Sequence, residues 1–150
     1  MAQAHKTILF LCTGNYYRSR FAEVLFVSLA RKTGLRWNAS SRALALERGA
    51  GNVGPMATAA VQALAAMGHH DAERCTRSPA QVTAADFKGA DLIIALKRTE
   101  HLPLLQERFP EFADRVEFWH VEDAPGVLPE ITAQIEDLVG RFLGADGEVP

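Results

Sequence analysis

Four short runs that favour strands alternate along this chain with four stretches of helical periodicity, and a chain patterned this way has few folds open to it. A helix between successive strands returns the chain to the same end of the sheet, so the strands run parallel and the helices cover both faces of an α/β sheet. The strand runs are residues 7–12, 37–42, 90–96 and 115–120. Phe21, Val24, Leu25, Ser28 and Leu29 form the stripe of a first helix that begins near Ser19, with Gly34 placed to end it. A second helix is expected over 55–67, with Pro55 in its first turn and Gly68 just past its end. A third is expected over 99–109, with Pro103 tolerated in its first turn, and 69–83 reads as an irregular connection. Ile131, Ile135, Leu138, Val139 and Phe142 repeat at helical spacing after Pro129 and mark the last helix.

A chain of 150 residues with 48% hydrophobic side chains supports one core, so a single domain spanning 1–150 is expected. The net charge of -2 and the scattered basic residues leave no electrostatic footprint for nucleic acid or an anionic membrane surface. No apolar run approaches a membrane span, and the protein is expected to be cytoplasmic. Two cysteines cannot build a disulfide framework, which leaves a cysteine in a polar loop as a candidate for chemistry.

In an open parallel sheet, ligands bind beyond the carboxyl ends of the strands, which here are residues 12–19, 42–54, 97–101 and 122–126. The first of these reads Cys12-Thr13-Gly14-Asn15-Tyr16-Tyr17-Arg18-Ser19. A loop running into a helix turns its N–H groups and the helix start toward one concavity that favours a phosphate-like anion. Arg18 can hold two oxygens of that anion with its planar fork. Both the guanidinium and the helix start favour the thiolate form of Cys12, the form that attacks. Gly14 is expected to ease the curl of the loop, Asn15 belongs to the residues that tolerate a left-handed backbone, and the Ser19 hydroxyl can reach the thiolate. Asp123, just past the fourth strand, is the candidate to protonate a leaving oxygen and then activate water.

Other residues carry less. His69-His70 read as a surface turn, because adjacent histidines rarely converge on one metal, and no metal or cofactor is expected. Cys75 has basic neighbours but no sequence relation to Cys12, and Lys97 and Arg98 lie on the same sheet edge as the loop.

With those residues in hand, the chain resembles the low-molecular-weight protein tyrosine phosphatase family. Thr7 to Glu23, reading TILFLCTGNYYRSRFAE, is similar to that family's first strand, phosphate loop and following helix. Asn52-Val53-Gly54 resembles the segment before its second helix, and Ala85-Asp86-Phe87 through Leu96 its third-strand region. The resemblance implies a three-layer α/β/α fold with a four-stranded parallel sheet in the order 2-1-3-4. It also implies Cys12 as nucleophile, Arg18 as phosphate holder and Asp123 as acid and base, with Thr13, Gly14, Asn15, Tyr16 and Tyr17 around the substrate and no metal.

Several positions depart from the family's pattern. Tyr17 stands where many members have a second cysteine, Arg20 replaces a proline, and Gly51 replaces an aromatic residue. Lys97 replaces an aspartate, Ser41-Arg42-Ala43 replaces a small-residue segment, and Asp123 is followed by Ala124 and Pro125 with no tyrosine. Fewer aromatic walls and more basic residues point to an anionic or bulkier phosphorylated substrate, with Tyr16 and Tyr17 rebuilding part of a wall.

The expected function is phosphomonoester hydrolysis through a cysteinyl-phosphate intermediate, acting on a phosphorylated protein, with phosphotyrosine one candidate, or on a small phosphate ester. Two alternatives stand beside it. Arsenate reduction needs further thiols to relay oxidation, and only Cys75 is present. A non-catalytic oxyanion or phosphoprotein-binding domain needs no nucleophile, arginine, serine and acid together.

Overall fold

A strand closed in on both sides sits at the middle of the architecture. The computed structural model describes residues 5–69 and 71–148. Strand β1 (Lys6–Cys12) pairs in parallel with β2 (Trp37–Ala43) and with β3 (Leu92–Ala95), which pairs with β4 (Val116–Phe118), in the order β2-β1-β3-β4. The helices are α1 (Arg18–Thr33), α2 (Thr58–Ala66), α3 (Ala72–Thr76), α4 (Ala84–Gly89), α5 (Arg98–Arg108) and α6 (Leu128–Glu148). The sheet order and the three layers agree with the expectation.

Residues Ile8 to Cys12 are all buried because alternate side chains enter different cores. Ile8 and Phe10 join the cluster under α1 and α6, where Phe26 meets Phe142 edge-on at 6.2 Å and Trp119 lies 6.0 Å from Phe10. Leu9 and Leu11 join the opposite cluster with Phe87, Leu104 and Leu105. Each such side chain, fully buried, contributes roughly 1.5–3 kcal/mol, so the central strand anchors both layers and holds Cys12 at a rigid end. Gly34 ends α1 in a left-handed conformation (φ 74), its N–H reaching Ala30 and Arg31 carbonyls.

Several expected boundaries move. Strand β3 is shorter than 90–96, because Ala90 caps α4 and the Asp91 carboxylate takes the Thr7 N–H at 2.7 Å. Strand β4 is shorter than 115–120: Arg115 belongs to a preceding 3-10 turn, Pro110–Arg115, and donates to the Phe87 and Ala90 carbonyls at 2.9 Å each. The second helix starts after Pro55, whose carbonyl is taken instead by the Arg20 side chain at 2.8 Å.

The connection expected to be irregular over 69–83 contains α3, capped by Asp71, whose carboxylate accepts the Arg74 N–H at 3.1 Å. Residues 85–87 form part of α4 ahead of the third strand, started by a capping box between Thr83 and Asp86. Pro103 lies in the second turn of α5 and not the first; it forgoes one backbone hydrogen bond while Leu104 and Leu105, buried next to it, hold the helix to the sheet. His70 lies outside the described residues, as do residues 1–4 and 149–150. No helix among the described residues is long and apolar enough to cross a membrane.

Candidate active site

The loop from Cys12 to Arg18 is anchored by its carbonyls. Those of Cys12, Thr13 and Tyr16 accept the N–H groups of Leu44, Ala45 and Ala57 at 2.9, 3.0 and 3.0 Å. Helix α1 then starts with no side-chain cap at Tyr17 and no acidic residue in its first turn, which leaves its N-terminal donors available to an anion. A cleft of about 150 Å³ opens there, lined by Cys12, Thr13, Gly14, Tyr16, Tyr17 and Arg18 from the loop, with Arg48, Gly49, Asn52 and Asp123 opposite.

Beneath the loop runs a polar chain whose direction can be read from its donors. Asn15, fully buried with φ 53, donates through Nδ2 to Ser19 Oγ and Ser41 Oγ at 2.9 Å each. Its Oδ1 accepts the Ala80 N–H at 3.1 Å and Arg77 Nη1 at 3.4 Å, so the amide is saturated. Ser41 donates onward to Glu23 Oε1 at 2.6 Å. Because Ser19 Oγ already accepts from Asn15, its own hydrogen is free for Cys12 Sγ, 3.0 Å away. The network therefore delivers a hydroxyl donor to the sulfur. Asn15 and Ser19 lie below the cleft and do not line it.

The left-handed residue of the loop is Asn15, and Gly14 does not share that conformation. A Cβ at Gly14 would lie 3.5 Å from Asn52 Nδ2 and 3.6 Å from Gly49 Cα, ordinary contact distances. The tight position is Gly49, where a Cβ would come within 2.9 Å of Asn52 Nδ2.

Arg18 is 2% exposed, and Glu100 of α5 clamps its outer edge, taking Nη1 at 3.0 Å and Nη2 at 2.6 Å. The Val121 carbonyl takes Nη1 at 3.1 Å, and Nε lies 3.6 Å from Asp123 Oδ1. Thr13 donates its hydroxyl to Glu100 as well. Burial opposes charge on Glu100, but His101, Arg18 and Thr13 together hold its carboxyl well below the usual carboxylate range. Burial also works against the Arg18 cation and is outweighed by Glu100, Cys12 and Asp123, which push its pKa up.

His101, fully buried, accepts the Lys97 N–H on Nδ1 at 3.0 Å, which places the proton of the neutral ring on Nε2. That atom stands 3.0 Å from Glu100 Oε2. Burial pushes the His101 pKa down, against the pull of Glu100. Asp123 has a largely exposed carboxylate at the cleft mouth, and burial first, then Asp123, raises the Tyr17 phenol. Tyr16 is fixed by its hydroxyl, which donates to the Val53 carbonyl at 2.5 Å.

Sequence reasoning did not single out Glu100 or Arg48, and it named Asn52 only within the Asn52-Val53-Gly54 segment, without a role in the site. All three lie in segments at the carboxyl edge of the sheet, but nothing local distinguishes Glu100 from the carboxylates beside it. Lys97, on the same sheet edge as the loop, is neutralised by an ion pair with Glu122. Cys75 is buried in the core under α1, and burial raises its thiol pKa. Among the described residues no cluster of histidine, cysteine or carboxylate side chains has the arrangement of a metal site.

Residues 7–124 match the family model described as low molecular weight phosphotyrosine protein phosphatase. A protein-arginine-phosphatase of Bacillus subtilis is 34% identical over 109 residues, 73% of this chain and 67% of that protein. The crystal structure of a low molecular weight protein tyrosine phosphatase from T. tengcongensis superposes with a TM-score of 0.76 at 26% identity, covering 91% of this chain and 99% of the other. A solution structure of such a phosphatase from Bacillus subtilis gives 0.68 at 25% identity, over 95% and 99% of the two chains.

Proposed function

The chain belongs to the low molecular weight phosphotyrosine protein phosphatase family, whose members are cysteine-dependent phosphatases, and from that premise we propose that Cys12 opens its reaction as the nucleophile. The observation that carries this reading is the Ser19 hydroxyl aimed at Cys12 Sγ at 3.0 Å, on the floor of a cleft that also holds Arg18.

The Cys12 thiolate attacks phosphorus in line, an S–P bond forms, and the bond to the leaving group breaks, P–O for a phosphate ester or P–N for a phosphoarginine. Arg18, using its Nε and the inner hydrogen of Nη2, holds two equatorial oxygens while the loop N–H groups hold the others. Asp123 gives its proton to the departing oxygen or nitrogen. As a carboxylate it then takes a proton from the water that attacks phosphorus, the S–P bond breaks, and Ser19 stabilises the returning thiolate.

The substrate we propose is a phosphorylated protein side chain. Tyr16 and Tyr17 offer aromatic faces to a phosphotyrosine ring, and equally to the planar guanidinium of a phosphoarginine, the substrate in the name of the Bacillus subtilis relative. Arsenate reduction gains no support, since Cys75 lies in the core and lines no part of the cleft.

The test compares paired phosphotyrosine and phosphoarginine peptides with aryl and alkyl phosphates. Asp123→Asn is expected to lower kcat by on the order of 10²-fold or more for an alkyl phosphate, and much less for p-nitrophenyl phosphate, whose leaving group needs no proton. Equal losses on both substrates would remove Asp123 as the acid.

Glu100 fits the role of a positioning residue for Arg18. Glu100→Ala should lower kcat about 10- to 100-fold through misplacement of the guanidinium. Glu100→Gln, which keeps the shape and one acceptor, should recover part of that loss, whereas a purely structural role would not separate the two variants at full folding.

A further inference from the structure

A second cavity, of about 930 Å³, opens between the end of α1, β2 and the segment around α3, and it shares no lining residue with the cleft. Its walls carry five cationic side chains, Arg31, Lys32, Arg42, Arg74 and Arg77, against three carboxylates. We propose that this cavity is a second anion site, taking a small organic ligand with two phosphate-like groups, and that it is linked to the phosphate loop through Glu23.

The charges make the case for an anion. Glu23, 2% exposed, is shared by Arg74 at 2.7 Å and Arg77 at 3.0 Å, so one buried carboxylate faces two guanidinium groups. Asp71 is likewise shared, at 3.5 Å from Arg31 and 3.6 Å from Arg74. Arg42 leans on Asp86 at 3.5 Å. Among the described residues Lys32 Nζ contacts the Gly68 carbonyl and His69 Nδ1, with no carboxylate in an ion pair with it; burial, then Lys32 itself, pushes the His69 pKa down against the pull of Glu136. With Asp86 counted against Arg42, the five cations face four carboxylates, and the negative end of α1 offsets about half of the remaining charge, so the cationic surplus is small and sits at the Arg31 and Lys32 end. The volume exceeds what one phosphate fills and falls in the range of small organic ligands, so there is room for two anionic groups, one at Arg31 and Lys32 and one at Arg74 and Arg77, on either side of Asp71.

The link runs through contacts already in place. Glu23 receives the Ser41 hydroxyl at 2.6 Å, and Ser41 and Ser19 both accept from Asn15, with Ser19 on Cys12 Sγ. Arg77 touches Asn15 Oδ1 directly at 3.4 Å. A bound dianion draws Arg74 and Arg77 from Glu23 and loosens the hold on Asn15 and Ser19.

The probe is methylenediphosphonate, which has no hydrolysable bridge. With the phosphate loop filled by orthovanadate, calorimetry should still show one diphosphonate bound, and the double variant Arg31→Ala/Lys32→Ala should weaken it roughly tenfold without altering basal turnover. In the unblocked enzyme, diphosphonate should lower kcat for p-nitrophenyl phosphate with KM unchanged. Binding that disappears under orthovanadate, or that the double variant leaves intact, overturns the site. Purely competitive inhibition with kcat unchanged at saturation overturns the link.

Discussion

Cys12→Ser is expected to cut turnover of p-nitrophenyl phosphate by a factor on the order of 10³ or more while leaving oxyanion binding in place. A serine hydroxyl at neutral pH is a far weaker nucleophile than a thiolate, and among the described residues no base is hydrogen-bonded at that position to activate it: Ser19 is committed as a donor to the sulfur, and Asp123, the base for water, stands at the mouth. The elements that hold the anion are untouched by the change. The uncapped start of α1 and the buried Arg18 remain, so tungstate should bind the variant within several-fold of wild type by calorimetry. Turnover above a few per cent of wild type would mean that attack on phosphorus comes from another group, and the covalent intermediate would have to be abandoned.

The second large effect concerns stability. Arg20 replaces a family proline and is fully buried, yet its guanidinium serves four carbonyls: Asn15 at 3.4 Å, Pro55 at 2.8 Å, Arg74 at 2.8 Å and Arg77 at 2.6 Å. Burial, then repulsion from Arg77, lowers its pKa to about 10, which still leaves it charged at neutral pH. Replacing a buried ion pair by apolar groups can be neutral, because both charges leave together. Arg20→Met removes only the donor and strands the carbonyls of three separate segments. The expected loss is about 3–5 kcal/mol, on the order of a 10 °C fall in the thermal midpoint for a chain of this size. Urea unfolding reads the free energy directly, and a loss below about 1 kcal/mol would show that water replaces the guanidinium without cost. Arg20→Lys should fall between the two, since an ammonium cannot reach all four acceptors.

The residues that could be read from the chain are those whose role is set by neighbours in sequence. The unbroken apolar run before Cys12, the spacing to Arg18, and the helical stripe from Phe21 onward each describe local geometry, and the order of the strands came with the family resemblance. Helix α4 escaped notice because six residues are too few for periodicity to register, although the Thr83 to Asp86 spacing of its capping box was present. Pro103 is the sixth residue of α5 and would be the fifth of a helix starting at Thr99, so it falls beyond the first turn with either start. At the strand ends, Ala90 and Arg115 have strand-like neighbours but are claimed by a helix cap and a 3-10 turn.

The site divides along the same line. A thiol, an arginine and an uncapped helix start within seven residues of one another are a property of the sequence, because a short loop leaves them nowhere else to go. What surrounds them is decided by chain segments far apart: Glu100 reaches Arg18 across 82 positions, Arg77 reaches Asn15 across 62, and Ser41 meets Asn15 across 26. Contacts of this kind join residues remote in sequence and carry no periodic signal, so a carboxylate that clamps the arginine reads in sequence like any solvated one. Only the packing of α5 and the α3 segment against the loop selects Glu100, Arg77 and Glu23 from their neighbours, and the same packing encloses the second cationic cavity. The chemistry of the loop was thus set locally, whereas its buttresses and rim were set by the tertiary fold.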